Sequence, residues 1–565
     1  MFTTRAMSVN AEEIRQSSPP VESGISDWLN VNVRLWRLAS FTIAAIVAAP
    51  IVVVALSWFT PAGDIWRHLV QTVLGELLLN TAVMMIGVGA GVFLLGTGLA
   101  WLVTMYDFPG RRFFDWALML PLAIPAYVLA FVAVGLLDFS GPLQRALRAM
   151  FGGSAWFPPI RSAGGVIGVM VLAFYPYVYM LARAAFLSQG RRMLETGRVL
   201  GLPPRAAFLH VALPMARPAL AAGVALALME ALADFGAVAI FNYDTFTTAI
   251  YKAWLGLFSL PAAAQLASLL LLFVALALIG ERQLRGQARY HVTLRVGREQ
   301  RYTLAGARAI YATVACVVTL LLAFIVPVGQ LLHWAGSTAL VDLDLRYFRF
   351  FFNTVSLGMA AAVVTTSGAL LLAYTYRLKP DRWVTGAVRF ATLGYALPGS
   401  VLAVGIMVSF VWLDKQIIHG LQSLLDYSGG PLLTGTLLAL LLAYGVRFMA
   451  VAHGPIDSSF ERIKPSLWQA ARSLGASNRE ILWRVSIPLL RTGLLSASLL
   501  VFVEVMKEMP ATLLLRPFGW DTLATRIFEM TSEGQWERAA LPALTLVLAG
   551  LIPVIMLVRR SSPRG

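Results

Sequence analysis

The chain has 565 residues, of which 58% are hydrophobic and only 13% charged. Soluble domains usually carry about 25% charged residues, so this composition excludes a soluble globular protein and indicates helices that cross a lipid bilayer. The net charge of +16 fits basic cytoplasmic loops, and there is no basic, aromatic-rich soluble module that would bind nucleic acid.

In chain order, the polar segment 1–38 is expected to be a cytoplasmic tail, because it lacks the early apolar stretch of a signal peptide. Twelve apolar segments follow, each long enough for a transmembrane helix. Six form a first domain (39–281) and six form a second domain (309–558). An Arg-rich connector (282–308) joins the domains, and 559–565 is the C-terminus. The segments lie near 39–59, 79–105, 114–137, 164–187, 216–240 and 262–280, and near 309–333, 353–375, 386–412, 432–453, 490–510 and 540–558.

Loop charge predicts the orientation of these helices. The segment 281–308 contains seven arginines against two glutamates, and the loops 188–215 and 454–489 are also rich in arginine. The loops on the other side, such as 241–261 and 413–431, contain few basic residues. Because basic loops stay in the cytoplasm, we expect both termini to be cytoplasmic.

The chain also contains an internal repeat. NTAVMMIGVGAG at 80–91 resembles NTVSLGMAAAVV at 353–364, and PAYVLA at 125–130 resembles PGSVLA at 398–403, both at an offset of 273. LETGRVLGLPPRAAFLHVALP at 194–214 resembles LWQAARSLGASNREILWRVSIP at 467–488 at an offset of 274. The sequence therefore predicts two parallel six-helix repeats, related by an axis along the membrane normal.

The last pair of stretches predicts a helix–turn–helix knob in each half, on the cytoplasmic side. Gly201 and Gly475 are suited to the left-handed turn that ends a helix. Pro214 and Pro488 are expected to stop the second short helix before the next span. One copy alone could be an arginine-rich anchor at the membrane surface. Two matched copies favour a docking surface for a symmetric partner.

The same stretches carry a family resemblance. The pattern E-A-A-x-x-x-G, followed by nine or more residues and then a hydrophobic residue and proline, resembles the signature of permease subunits of binding-protein-dependent ABC importers. The first copy has Thr196 and Gly197 in place of the two alanines, and the second has Gln469 in place of the glutamate. The resemblance covers roughly 75–280 and 348–558, and the fused two-half plan is similar to ferric iron permeases. Thiamine permeases, which share this plan, remain an alternative.

The resemblance implies the all-α MetI-like fold of ABC importer permeases, a location in a bacterial inner (plasma) membrane, and loops that couple to an ATPase dimer on the cytoplasmic side. In the family this loop sits in a groove of the ATPase. Glu195 and Gln469 would then be polar contacts, Leu200 and Leu474 apolar plugs, and Gly201 and Gly475 turns. The other coupling-loop residues are Arg205, Pro214, Ala470, Ala471, Arg479 and Pro488. A periplasmic or extracellular substrate-binding protein is the second implied partner.

Catalytic and nucleotide-binding motifs do not occur in the sequence. It contains no Gly-Lys pair and therefore no phosphate-binding loop, so ATP and Mg must be bound by a separate ATPase. There is no dense His or Cys cluster that predicts a resident metal site or cofactor. We therefore expect a transport subunit and not an enzyme. An ion-coupled secondary transporter is the alternative of a different class, although such a protein needs no docking site for a motor.

An acid pair in the fifth span of each half is a candidate for the substrate path. Glu230 and Asp234 are four residues apart and share a helix face. The offset of 274 places Glu504 and Glu508 at the equivalent positions, where Lys507 partly offsets their charge. Carboxylates inside spans are costly and suit a hard cation. The alternative is structural: the acids pair with arginines or cap the ends of the spans.

Overall fold

The computed structural model describes residues 22–60, 63–152, 157–199, 201, 203–285, 301–425 and 430–561. Within these residues, twelve helical segments are long and apolar enough to cross a membrane. The predicted all-α membrane fold with two six-span repeats is confirmed. The segments are Arg34–Phe59, Leu74–Met105, Ala126–Phe151, Ala163–Ser188, Phe208–Ala233 and Leu260–Leu284, and then Ala307–Asp342, Leu345–Leu378, Gly399–Gly420, Leu437–Phe460, Asn478–Lys507 and Trp536–Met556.

The first half contains twelve described α-helices. They are α1 (Glu22–Leu56), α2 (Gly63–Thr72), α3 (Leu74–Met105), α4 (Arg111–Ala117), α5 (Ala126–Leu137), α6 (Pro142–Phe151), α7 (Ala163–Val199), α8 (Pro204–Ala207), α9 (Leu213–Ala233), α10 (Gly236–Ile240), α11 (Phe246–Tyr251) and α12 (Leu260–Arg285). Short 3-10 turns cover Ser57–Phe59 and Leu120–Ala123, and π-helical turns cover Phe208–Ala212 and Lys252–Gly256.

The second half also contains twelve described α-helices. They are α13 (Ala307–Leu320), α14 (Val326–Asp342), α15 (Leu345–Leu378), α16 (Arg382–Ala391), α17 (Gly399–Leu425), α18 (Leu437–Phe460), α19 (Pro465–Ser473), α20 (Asn478–Glu480), α21 (Ile487–Lys507), α22 (Pro510–Leu515), α23 (Leu523–Ser532) and α24 (Trp536–Ser561). A 3-10 turn covers Thr392–Ala396, and π-helical turns cover Leu321–Ile325 and Ile481–Ser486.

The expectation that Pro214 and Pro488 end a helix is wrong. Each lies at the start of a long helix, α9 or α21, and a π-helical turn comes directly before it. In these turns the backbone N–H of Leu213 bonds to the carbonyl of Phe208, five residues back, and Ile487 bonds to Leu482 in the same way. A proline lacks the N–H that an α-helix needs and crowds the preceding turn. The widened π turn accommodates both effects, so the helix continues.

The first span of each half packs on the other half. Helix α1 contacts α15, α16 and α17, and Val47 is buried in the core of the second half. Conversely, the span Ala307–Asp342 contacts α4, α5 and α7 of the first half, in addition to the packing of α14 on α24 of its own half. Cys316 and Trp334 of this span are buried in a core that residues of the first half share with α23 and α24. We call this arrangement the exchange of first spans. The sequence repeat does not predict it, because the repeat shows which segments are equivalent but not which half each segment packs against.

Several contacts tie the ends of these spans together on one side of the membrane, which we call the knob side. It contains residues 106–111, 201, 203–204 and 461–477, and the opposite side is the far side. Strand β1 (Tyr106–Asp107) pairs in parallel with β2 (Tyr302–Thr303), so the end of the connector is fixed to the end of α3. Arg37 in α1 lies 3.1 Å from Asp381. The backbone amide of Val384 and the Arg37 guanidinium lower the pKa of the Asp381 carboxyl.

The domain limits predicted from hydropathy remain predictions, but three helix ends differ from them. Helix α1 begins at Glu22, inside the segment expected to be a tail, and α12 continues to Arg285 in the expected connector. Helix α24 continues to Ser561. Polar residues continue a helix beyond the lipid because helix propensity does not depend on hydropathy. Residues 1–21, 286–300 and 562–565 lie outside the described residues.

Candidate substrate path and coupling loops

In each half a proline lies directly before the third span and separates it from a short helix and a 3-10 turn. In the first half the 3-10 turn Leu120–Ala123 is followed by Pro125, and in the second half Thr392–Ala396 is followed by Pro398. The residue before each proline is extended, because the proline ring clashes with a helical neighbour on its N-terminal side. Non-helical backbone is tolerated at this depth only when it is buried in protein or borders a cavity. The first of these breaks borders a cavity.

The fifth span of each half ends in the same way. Helix α9 ends before Asp234 and α21 ends before Glu508, and both acids have extended backbone with ψ of 125° and 120°. A short helix follows each acid. The Ala237 amide donates to Asp234 Oδ1 at 2.6 Å, and the Ala511 and Thr512 amides donate to Glu508 at 3.1 and 3.0 Å. Both carboxylates therefore satisfy free N–H groups at the start of a helix, as the structural alternative expected.

All four predicted acids nevertheless line a single cavity of about 110 Å³, and they come from both halves: Glu230, Asp234, Glu504 and Glu508. Tyr177 and Arg447 also line it, and each lies near the middle of its span. The cavity is therefore deep in the membrane, between the two repeats. Tyr127 and Lys507 complete its set of polar side chains.

The acids differ in their other partners. Glu230 Oε1 accepts a hydrogen bond of 2.6 Å from the hydroxyl of Tyr395, which belongs to the opposite half. Glu504 lies 3.9 Å from the Lys507 ammonium. Glu508 lies 3.9 Å from the Arg447 guanidinium and is 5% exposed. The cavity lining thus combines four carboxyl groups with two basic side chains, and ion pairs or hydrogen bonds connect them.

The four acids of the cavity do not form a close cluster. Among the described residues, no group of three or more His, Cys, Asp or Glu side chains is placed so that it could hold a metal ion. The carboxylates line the same space without converging on one point. A conduit must release what it binds, so dispersed ligands are suited to passage and poorly suited to storage.

Sequence reasoning did not find every polar group at the cavity. Arg447 is the one charged residue in the apolar run LLALLLAYGVRFMAVA, and that isolation is a usable signal for function. Tyr395 lies in the 3-10 turn before Pro398, and hydropathy alone does not indicate its hydrogen bond to Glu230. Tyr177 lines the cavity, whereas the hydroxyls of its neighbours Tyr175 and Tyr179 donate to the carbonyls of Leu118 and Asp115.

The second predicted knob is well defined. Helix α19 ends at Ser473, Gly475 forms a left-handed turn with φ of 82°, and Ser477 and Glu480 form a reciprocal capping box at the start of α20. Leu474 is 88% exposed. Gln469, Ala470, Arg479 and Pro488 are also exposed, and Ala471 is half-buried. The hydroxyl of Tyr374 donates to the Asn478 carbonyl at 2.6 Å, which fixes the base of the knob to α15.

The first knob has the same turn but a different approach. Gly201 has φ of 81° and is followed by α8, yet α7 continues from the membrane to Val199 without the break that separates α18 from α19. Pro214 is exposed at the start of α9. Glu195 lies on α7 and Arg205 on α8, but their side chains lie outside the described residues, as does all of Leu200.

Comparison with known proteins identifies the family. A family model described as "Binding-protein-dependent transport system inner membrane component" matches residues 92–290 and 365–564, once in each repeat. The chain belongs to this family. It is therefore a multi-pass inner membrane permease subunit, a transport component and not an enzyme. Permeases of this family function with a substrate-binding protein and an ATPase.

Three relatives show how far the similarity extends. "Fe(3+)-transport system permease protein FbpB 2" of Haemophilus influenzae is 30% identical over 499 residues, which are 86% of this chain and 90% of that protein. "Ferric transport system permease protein FbpB" of Actinobacillus pleuropneumoniae is 24% identical over 74% of this chain and 61% of that protein. "Putative 2-aminoethylphosphonate transport system permease protein PhnV" of Salmonella typhimurium is 30% identical over 34% of this chain and 63% of that protein.

Proposed function

We propose that this permease conducts ferric iron inward across the membrane. The observation that carries the proposal is the single cavity between the repeats, to which each repeat contributes two carboxylates. Oxygen ligands are suited to a hard, highly charged cation. The relatives named for ferric transport support the same substrate, and one of them matches most of the chain.

We infer that the two knobs are cytoplasmic and dock on the subunits of a separate ATPase dimer, which binds ATP and Mg. The exposed Leu474 supports docking, because it offers an apolar contact at the tip of a polar turn that a partner groove can bury. The arginine-rich loops on the knob side support the cytoplasmic orientation, with both termini inside. The substrate-binding protein then docks on the far side.

The helices suggest how the motor acts on the path. The segment Asn478–Lys507 begins in the second knob and ends beside Glu508 in the cavity. In the first half, Phe208–Ala233 links the first knob to Asp234. A helix transmits displacement along its axis, so closure of the ATPase dimer would move both knobs and, through these helices, the carboxylates. Access to the cavity would change from the far side to the cytoplasm.

The test is iron uptake by the permease reconstituted with its ATPase and binding protein. We expect Glu230→Gln and Glu504→Gln to reduce uptake about tenfold or more, because each removes one carboxylate charge from a site of low dielectric. Asp234→Asn and Glu508→Gln should reduce uptake and also stability, because these side chains accept backbone hydrogen bonds.

Glu76→Gln is the matched control, because Glu76 is an exposed carboxylate in the first turn of α3, outside the cavity and outside both knobs. It should leave uptake unchanged. Normal iron uptake by all four cavity variants would contradict the proposed path, whereas a loss of uptake in the control as well would indicate a general effect of neutralising acids.

A further inference from the structure

Arg447 is an unusual component of the cavity. It lies in the middle of a membrane span, its side chain is only 11% exposed, and the nearest carboxylate oxygen, Glu508 Oε1, is 3.9 Å from its Nη1 atom. Its Nε and Nη1 atoms are buried and have no hydrogen-bond partner within the described part of the chain. A buried arginine normally forms short, two-pronged hydrogen bonds with a carboxylate. Here the guanidinium is near the acid but is not bound to it.

Two other bases within the spans are held by hydrogen bonds that Arg447 lacks. Arg183, also in a span, holds Asp115 through two hydrogen bonds of 2.7 Å. Lys507, the other base of the cavity, donates to the Leu122 carbonyl at 3.3 Å in addition to its contact with Glu504. Arg447 alone of these three bases combines burial with free donor groups that border the cavity.

The surroundings of Arg447 leave room for it in this position. A side-chain carbon at Gly399 would lie 2.8 Å from Arg447 Nη1 and 2.5 Å from Glu508 Oε1, so the absence of a side chain at Gly399 makes space for the pair. Glu508 is fixed by hydrogen bonds from α22, so its carboxylate cannot follow the arginine. Arg447 and Glu508 are therefore held close by their opposite charges and not by a hydrogen bond.

We propose that Arg447 is the resident counter-ion of the cavity. This inference rests on the proposed cation path. The guanidinium neutralises part of the carboxylate charge when the path is empty, and an entering multivalent cation displaces it. Displacement costs the attraction between Arg447 and the acids, and the attraction of a cation for the same acids grows with its charge. The displacement cost is the same for every cation, and a trivalent ion exceeds it more easily than a monovalent or divalent ion. Arg447 therefore sets the minimum charge of a cation that can occupy the path.

The test uses terbium, a hard trivalent probe, and the purified full-length chain. Tb³⁺ luminescence reports binding, and Mg²⁺ is then added as a competitor. We expect Arg447→Gln to bind Tb³⁺ about tenfold more tightly than the unmodified chain, because the competing charge is gone. With Tb³⁺ held well below its dissociation constant, Mg²⁺ should also compete at about tenfold lower concentration in this variant, because the same displacement cost is removed for both ions. Arg447→Lys should behave like the unmodified chain, and Arg183→Gln, the control for loss of a buried arginine, should not change Tb³⁺ affinity.

The outcomes separate this inference from the proposed function. If Arg447→Gln binds Tb³⁺ no more tightly while Glu504→Gln weakens binding, the counter-ion idea is wrong and the cation path stands. If Glu504→Gln and Arg447→Gln both leave Tb³⁺ binding unchanged, the cavity does not take cations and both proposals fail. Arg447→Met provides a second neutral variant in case the glutamine variant is not recovered as a monodisperse protein.

Discussion

At the scale of single residues, Gly399 is a sensitive position for the cavity. Its missing side chain leaves space for Glu508 and Arg447, and a carbon there would also lie 3.2 Å from the Ala511 amide. We predict that Gly399→Ala destabilises the protein by about 1–3 kcal/mol, as overpacking does, and lowers iron uptake several-fold. Thermal unfolding in detergent and uptake by the reconstituted assembly measure the two effects.

Gly445→Ala is the matched control for this prediction. Gly445 lies on α18, two residues before Arg447, and a side-chain carbon there would meet nothing within 4 Å. The control should be neutral or slightly stabilising, since alanine favours a helix more than glycine does. Equal behaviour of the two alanine variants would show that space at Gly399 is not required.

The residues of the cavity show which parts of a site can be predicted from sequence. The offset of 274 identified the acid pairs because charge inside an apolar run is rare and the repeat preserved it. It could not show that Asp234 and Glu508 also cap short helices, since that depends on where the span ends. It also could not pair Glu230 with Tyr395, because these residues are 165 positions apart and come together only through the packing of the repeats.

At the scale of helices and turns, the second knob depends on the conformation of Gly475. A side chain at φ of 82° is strained by roughly 1–2 kcal/mol, and more if it is β-branched, although no neighbour within 4 Å would clash with it. We predict that Gly475→Val displaces the knob and lowers the iron imported per ATP hydrolysed. Gly475→Asn should retain most of the coupling, because asparagine tolerates the left-handed conformation. An unchanged ratio in the valine variant would contradict the role of this turn.

The two knobs show why the sequence predicted the glycine turns correctly but not the effect of the prolines on the helices that follow. Glycine adopts positive φ without steric cost and often follows the end of a helix. Gly201 and Gly475 therefore indicated left-handed turns, and both have positive φ. Proline has two possible effects: it can end a helix or lie at the start of one. Which effect Pro214 and Pro488 have depends on the π turns before them, and such turns have no simple signature in composition.

At the scale of the whole molecule, the exchange of first spans makes each half depend on the other. Helix α1 covers the second half, and α13 and α14 cover the first. Hydropathy and the repeat predicted twelve spans in two units, and the structure has them. The exchange could not be predicted in this way, because an apolar helix is equally compatible with either half until side-chain packing is known.

This architecture predicts that the two halves assemble without a covalent link. If the chain is divided after residue 290 and the pieces are produced together, a tag on the second piece should recover the first piece in about equal amounts. The reason is that buried apolar contacts of α1, α13 and α14 hold the halves together from both directions. The recovered complex should also import iron when it is combined with the ATPase and binding protein.

Two further versions of the first piece identify the contact responsible. A piece that begins at residue 61 lacks the first span, and its recovery should fall to a small fraction. A full-length first piece with Arg37→Gln removes only the partly exposed ion pair with Asp381, which is worth about 0–1 kcal/mol, so its recovery should stay near normal. The piece without the first span could instead be recovered in the same amount as the complete first piece. The remaining interface would then be enough to hold the halves together, and the first span would be dispensable for assembly.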